Sequence, residues 1–325
     1  MATKSAKTTT AATGTNFLGW RSARRVASKH AEVIAVPTTG RIMSFRTIDG
    51  ENVFHLNESL AGTVPSASAK RIHQFGGLYT WLAPQEHWID PDTKSPNPAV
   101  LDFALDCGPY EVTKSGRSEL TMVSPVSKIY GLRMEKHVTL HPKQAGFNFT
   151  VTLHNTGSQA VRWAVWNLTA VRPGGIAFFE LPGGETDLQF PNPSFRAAFS
   201  RVLHVIDDRL AAVDFRKYIY AGAKLFVRVG GDYLVYRQPG SWLVRRFRAD
   251  SNALYTDRQS QIELWADAGN PKVFELETTS SDMVIPPGRS VEWTETFTIV
   301  PDAEKIPDDP YRLMSKLAPI LGERA

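Results

Sequence analysis

The sequence predicts an all-β chain folded as one large antiparallel sandwich. Three observations lead there. Short strand signals recur every 8–12 residues between turn residues. Helical periodicity is almost absent over more than 250 residues. No linker or internal repeat divides the chain, so 325 residues read as one body.

The elements follow in order. Residues 1–15, rich in Thr, Ala, Ser and Lys, read as a disordered leader, and 16–325 as one domain. Ala31–Pro37 is a strand stopped by proline. Gly40–Ile48 alternates apolar and polar residues and meets Asp49-Gly50, which predicts a hairpin with Asn52–Leu56. Residues 57–100 read as a long irregular stretch, rich in aromatic and polar side chains, of the kind that carries function. Strands resume at Glu119–Val123, Lys128–Leu140, Phe147–Asn155 and Ala160–Val171. Further strands are expected at Asp207–Tyr220, Leu225–Arg228, Tyr233–Gln238 and Trp242–Ala249. The last are Ser260–Trp265, Lys272–Thr279 and Val291–Val300, before a short helix over about Pro310–Leu321.

Composition narrows the function. The chain is 42% hydrophobic and 22% charged, which suffices for a large core. Its net charge is +4, but no basic run is interleaved with aromatics, so nucleic acid is not an expected partner. No apolar run nears the ~20 residues of a membrane span, and residues 1–14 lack the apolar core of a secretory signal. No membrane partner and a cytoplasmic location are therefore expected. The single cysteine, Cys107, reads as a structural thiol. His137 and His141 have helical ligand spacing but sit on a strand pattern, ~13 Å apart, so no metal is expected. Phosphate loops and dinucleotide-binding glycines are absent, and no cofactor is expected.

One strand carries the chemistry. In Val273–Thr279, Phe274, Leu276 and Thr278 point one way, and Glu275 and Glu277 the other. Same-face carboxylates lie about 7 Å apart on a strand. If buried, one is driven toward the protonated form and becomes a candidate acid or base. Arg41 is a candidate ligand clamp or the partner of a sheet glutamate. His73 can serve as acid, base or donor. Trp81 and Trp166 offer flat faces for a sugar ring. Gln85, Glu86 and His87 carry groups suited to hydroxyls.

Several segments together resemble the galactose mutarotase-like (aldose 1-epimerase-like) superfamily. They are Pro37–Phe45 ahead of its Asp-Gly turn, His73–Trp81, Phe274–Thr278 and Pro286–Thr294. More narrowly, Gly76-Gly77, Trp81, Pro84-Gln85, Ala164–Thr169, Pro173–Gly175 and Tyr255–Asp257 resemble the DUF4380 group of that superfamily. The resemblance implies a β-supersandwich that binds a sugar or sugar acid on the concave face of its larger sheet. It implies catalytic roles for Glu277, as base, and His73, with Arg41, Trp81, Gln85, Trp166, Asn167 and Glu275 binding substrate. The superfamily's acid histidine would fall on Trp163–Leu168, where Trp166 or Asn167 stands, so His73 or Tyr79 is left as the acid. The function expected is isomerisation or epimerisation of a sugar, with an anionic sugar favoured by the arginines. The alternatives are a non-catalytic sugar-binding or sensing protein, or a glycan lyase or hydrolase.

Overall fold

The computed structural model describes residues 13–66, 73–207, 209–228, 231–269 and 272–321. Among them, two antiparallel sheets, of eleven and ten strands, pack face to face. The larger runs Arg24–Ala27, Ala31–Val36, Arg41–Thr47, Leu78–Ala83, Val161–Val171, Val273–Thr279, Ser260–Asp267 and Ala223–Arg228 through its middle. The smaller has Ile176–Glu180, Tyr233–Gln238, Ser241–Phe247, Ser290–Pro301, Gly146–Asn155 and Leu132–Leu140 at its centre.

Alternation explains the layering. Inward side chains of the two sheets interdigitate as one core. Phe45 of the larger sheet meets Phe147 of the smaller edge-on, at 4.7 Å between ring centres, and Phe147 stacks on Phe297 at 4.9 Å. A second apolar cluster lies on the smaller sheet's outer face. There Phe178, Trp242 and Val244 are covered by Leu313, Leu317 and Leu321. Those leucines belong to the turn Pro310–Leu313 and the helix Met314–Leu321, where the sequence placed its closing helix. Residues 1–12 of the expected leader lie outside the described residues, and Thr13–Gly14 pairs with Arg24–Arg25.

Three expectations are corrected. The turn at Asp49-Gly50 forms, with Gly50 N–H donating to the Thr47 carbonyl. The returning segment does not build a ladder on Arg41–Thr47. The Asn52 side chain bonds the Phe45 N–H and the Met43 carbonyl instead, and Phe54 and Leu56 bridge to Val171 and Gly76. Arg41–Thr47 hairpins with Ala31–Val36. Second, the stretch read as irregular contains a central strand, Leu78–Ala83, every residue of which is buried. A strand covered on both faces shows no alternation, so its pattern is silent. It is entered through Gly76 and Gly77, at φ 81° and 78°. A Cβ at Gly76 would stand 2.2 Å from the His55 carbonyl oxygen, so no larger residue fits. Third, Asp207–Tyr220 is not one strand but the second half of a hairpin, Leu210–Asp214 paired with Leu203–Asp207, ending in the turn Phe215–Lys217.

A polar layer lies inside the core, directly behind Val273–Thr279. Arg245 is fully buried. Its guanidinium donates to the Leu276 carbonyl (2.5 Å), Thr278 Oγ1 (2.5 Å), the Asn167 carbonyl (3.3 Å) and Glu295 Oε2 (2.8 Å). Thr278 and Glu295 are also bonded to each other. The strand that carries Glu275 and Glu277 is thus pinned from its back.

Candidate functional site: a carboxylate-lined aromatic cleft

Register determines what shares the outer face of the larger sheet. Glu277 stands opposite Leu168 on one neighbouring strand and Glu263 on the other. Glu275 stands opposite Ala170 and Trp265. Tyr79 and Trp81 stand opposite Leu168 and Trp166, and Phe226 and Lys224 opposite Glu263 and Trp265. Cross-strand partners share a face. Tyr79, Trp81, Trp166, Glu277, Glu275, Glu263, Trp265 and Lys224 therefore form one surface.

Over that surface opens a cleft of about 890 Å³. Trp166, Phe226 and Trp265 line it with Glu263 and Lys224, and Gln85–His87 and Asp257–Arg258 contribute to its walls. Lys224 Nζ is 2.5 Å from Glu263 Oε1 and lies over the Trp166 ring at 5.3 Å. Trp166 Nε1–H donates to Glu277 Oε2 at 2.7 Å. Glu277 is only 1% exposed and sits immediately beneath the lining. The Tyr79 hydroxyl donates to Glu275 Oε1.

The electrostatics follow from three buried acids and one partly buried lysine. Burial is the largest influence and pushes Glu263 up to about 7, against the pull of Lys224. Burial, then the neighbouring Glu263 charge, holds Glu277 well above the usual carboxylate range, with Lys224 opposing. Burial likewise raises Glu275, against the Tyr79 hydrogen bond and Arg41. For Lys224, burial favours the neutral amine, but Glu263 and Glu277 outweigh it and hold the ammonium. The carboxyls repel one another, so ionising one favours the protonated form of its neighbours. A sign follows for stability. A folded carboxyl raised from 4.5 to about 7 favours folding below pH 4.5, and that contribution is lost as pH rises to about 7. We expect unfolding free energy to fall between pH 5 and pH 8, and Glu263→Gln to flatten that slope. Urea unfolding at the two pH values measures both.

The Tyr255–Gln259 segment that bears one wall is strained. Asp257, Arg258 and Gln259 all hold positive φ, at 48°, 66° and 63°. Residues such as arginine and glutamine rarely take this conformation, which costs about 1–2 kcal/mol each. The turn is held by Gln259 Oε1 on the Tyr255 N–H and by Gln189 Nε2 on the Arg258 carbonyl. It carries Asp257 into the cleft, where burial raises its carboxyl above the ordinary range. Arg258→Gly should stabilise the fold by about 0.5–1 kcal/mol in thermal unfolding, relief of strain exceeding glycine's chain entropy.

The structure places the other sequence-derived residues unevenly. Trp166 and Gln85 line the cleft. Gln85 Nε2 also donates to the Pro98 carbonyl at 2.8 Å. Arg41 is fully buried behind Tyr79, its guanidinium 3.8 Å from that ring's centre. It binds the carbonyls of His73 (2.9 Å) and Gly76 (3.3 Å) and Asp106 Oδ1 (3.3 Å), and so anchors the Gly-Gly turn. Trp81 bonds Asp106 Oδ1 through Nε1 at 2.8 Å and packs edge-on against Tyr79, Trp88 and Trp166, one layer under the cleft. The His73 ring stacks on Phe75, 5.6 Å between centres, away from the cleft lining. Asn167 faces the core: its Oδ1 accepts from Thr80 Oγ1 at 2.7 Å, beside Arg245. Odd and even residues of one strand cannot share a face, so Trp166 in the cleft puts Asn167 behind it. Cys107 is buried, and burial raises its thiol far from reactivity.

Glu263, Lys224 and Trp265 were not singled out from the sequence, and Asp257 entered only within the Tyr255–Asp257 segment of the resemblance. A signal for Glu263 existed. Ser260–Trp265 alternates, and hairpin pairing with Lys272–Thr279 puts a glutamate opposite Glu277. Lys224 comes from a strand 53 positions before Glu277 and gave none.

Two packed antiparallel sheets, with a cleft on the outer face of the larger, define a galactose mutarotase-like sandwich. Within that class the chain belongs to the DUF4380 family, described as a domain of unknown function, whose model matches residues 25–300. Similar solved structures include the Slr1438 protein of Synechocystis sp. PCC 6803, 13% identical at a TM-score of 0.58, over 86% of this chain and 96% of that one. A galactose mutarotase-like protein from Lactobacillus casei is 9% identical at 0.57, over 86% and 100%. A galactose mutarotase related enzyme from Lactobacillus acidophilus is 10% identical at 0.54, over 88% and 99%. At these identities the likeness is one of fold. No curated protein matches the sequence. Among the described residues, no helix is long and apolar enough to cross a membrane, and no group of His, Cys, Asp and Glu could hold a metal ion.

Proposed function

We propose that this chain binds a sugar in the cleft over Trp166 and isomerises it, in the manner of an aldose epimerase, with Glu277 as a proton-exchanging carboxyl. The observation that carries the reading is the placement of Glu277. It is a desolvated carboxyl, oriented by the Trp166 indole, immediately beneath an aromatic cleft that also presents Glu263. Aromatic faces suit the apolar face of a sugar ring, and the flanking amide and carboxylates suit its hydroxyls. Ring opening needs one group to take the anomeric hydroxyl proton and another to protonate the ring oxygen.

A second reading, a non-catalytic sugar-binding or sensing protein, is favoured by one feature. A tryptophan stands on the strand where the resemblance expects an acid histidine, and its indole occupies Glu277. Calorimetry and anomerisation rates over one panel of aldoses separate the two. Faster anomerisation supports the isomerase. Binding without acceleration supports the sensor, and no binding to any sugar contradicts both.

A further inference from the structure

We propose that Glu263, clamped by Lys224, is the second proton-handling carboxyl of the cleft, working with Glu277 on an uncharged reducing sugar in its ring form. The inference rests on the sugar-isomerase reading and names its missing proton partner and its substrate class.

The geometry is that of a cross-strand pair. Glu263 and Glu277 face each other in adjacent antiparallel strands. Directly opposed residues have Cβ atoms about 4.5–5.5 Å apart, and glutamate side chains can converge or splay from there. The two oxygens that must exchange protons during ring opening are both bonded to one carbon. Two carboxyls at this separation are spaced to serve both, Glu263 from the cleft lining and Glu277 from immediately beneath it. Neither His73 nor Tyr79 offers the same: the His73 ring is stacked on Phe75, and the Tyr79 hydroxyl is spent on Glu275.

Lys224 decides how the pair divides its proton. Its Nζ sits 2.5 Å from Glu263 Oε1, which favours Glu263 as the carboxylate. Glu277 has an indole N–H as its direct partner and, among the described residues, no cation at that distance, so it takes the proton. The buried, mutually repelling charges point the same way. The base role that the resemblance implies for Glu277 then passes to Glu263. The Glu263 carboxylate takes the anomeric hydroxyl proton while the Glu277 carboxylic acid gives its proton to the ring oxygen. The bond between the anomeric carbon and the ring oxygen breaks, and a carbonyl forms. After the carbonyl turns, the ring hydroxyl adds to its other face. That hydroxyl's proton returns to Glu277, and Glu263 returns its own to the new anomeric hydroxyl. Both residues end as they began.

The same arrangement disfavours anions. The Lys224 ammonium is committed to Glu263. Among the described residues that line the cleft, the carboxyls of Glu86, Asp257 and Glu263 face Lys224, Arg258 and the His87 imidazole. A phosphate or carboxylate on the sugar would meet a surplus of negative charge.

The test uses the full chain with glucose, galactose and their uronic acids and 6-phosphates, following anomerisation by NMR. Glu263→Gln should lower kcat by about 100-fold or more, with the neutral sugars at least about tenfold better in kcat/KM than their anionic forms. Because Glu263→Gln strands Lys224, the double variant Glu263→Gln/Lys224→Met provides the folding control. It should melt like the wild type and stay inactive. Infrared difference spectra read protonation without turnover. Against the wild type, Glu277→Gln should lose one band of a buried protonated carboxyl, and Glu263→Gln should lose none. Near-normal rates for Glu263→Gln, with Glu277→Gln inactive, would overturn the role of Glu263 and leave the isomerase reading standing. Preference for a uronate or phosphate would overturn the substrate class. The reverse infrared pattern would overturn the division of the proton. No acceleration of any sugar by the wild type would overturn the isomerase reading and this one with it.

Discussion

Replacing Arg245 by methionine lowers the stability of the fold by about 3–5 kcal/mol in urea unfolding. Arg245 and Glu295 are both wholly desolvated, and their side chains meet at 2.8 Å. Removing the guanidinium leaves the Glu295 carboxyl with Thr278 and no cation, and also strips donors from the Leu276 and Asn167 carbonyls. Burial already pushes the Glu295 carboxyl upward, and Arg245 is the chief opposing influence. Without it Glu295 takes up a proton or the strands part. Methionine at both 245 and 295 should recover part of the loss, because an apolar pair leaves no buried charge. A single variant as stable as the wild type would show that the pair does not hold these strands.

Glu277→Gln removes the proton-exchanging carboxyl with almost no change in shape. Under the isomerase reading, kcat falls by about 10²- to 10⁴-fold. The glutamine carbonyl can still accept from Trp166 Nε1, so the cleft keeps its form and sugar affinity changes little. Folding is preserved as well. A buried carboxyl held above its ordinary range gives up little when replaced by a neutral amide. A large kcat loss with near-constant Kd and melting temperature therefore separates a chemical role from a structural one.

The fold class was legible where strands are half-buried. Alternation in segments such as Leu132–Leu140 and Gly146–Asn155 reports directly on one core face. Leu78–Ala83 was not, because both of its faces are covered. The hairpin at Asp49-Gly50 misled because a two-residue signal cannot show that Asn52 will satisfy the ladder with its side chain. In the site, the Glu275/Glu277 strand was visible from one segment, since same-face residues need only a period of two. What those carboxyls meet depends on four other strands and their registers, which link positions up to 196 apart in sequence. That is why Trp166 and Asn167 were named together although one faces the cleft and the other the core. It is also why Arg41, a plausible clamp by residue type, turns out to brace the Gly76–Gly77 turn.

The most direct test of the central claim is magnetisation-exchange NMR of the anomeric protons of a neutral aldose at pH 7. With wild-type protein, exchange between the two anomers should quicken in proportion to protein concentration, and with Glu277→Gln it should return to the buffer rate. Exchange at the buffer rate with the wild type, or an equal acceleration by Glu277→Gln, would contradict it.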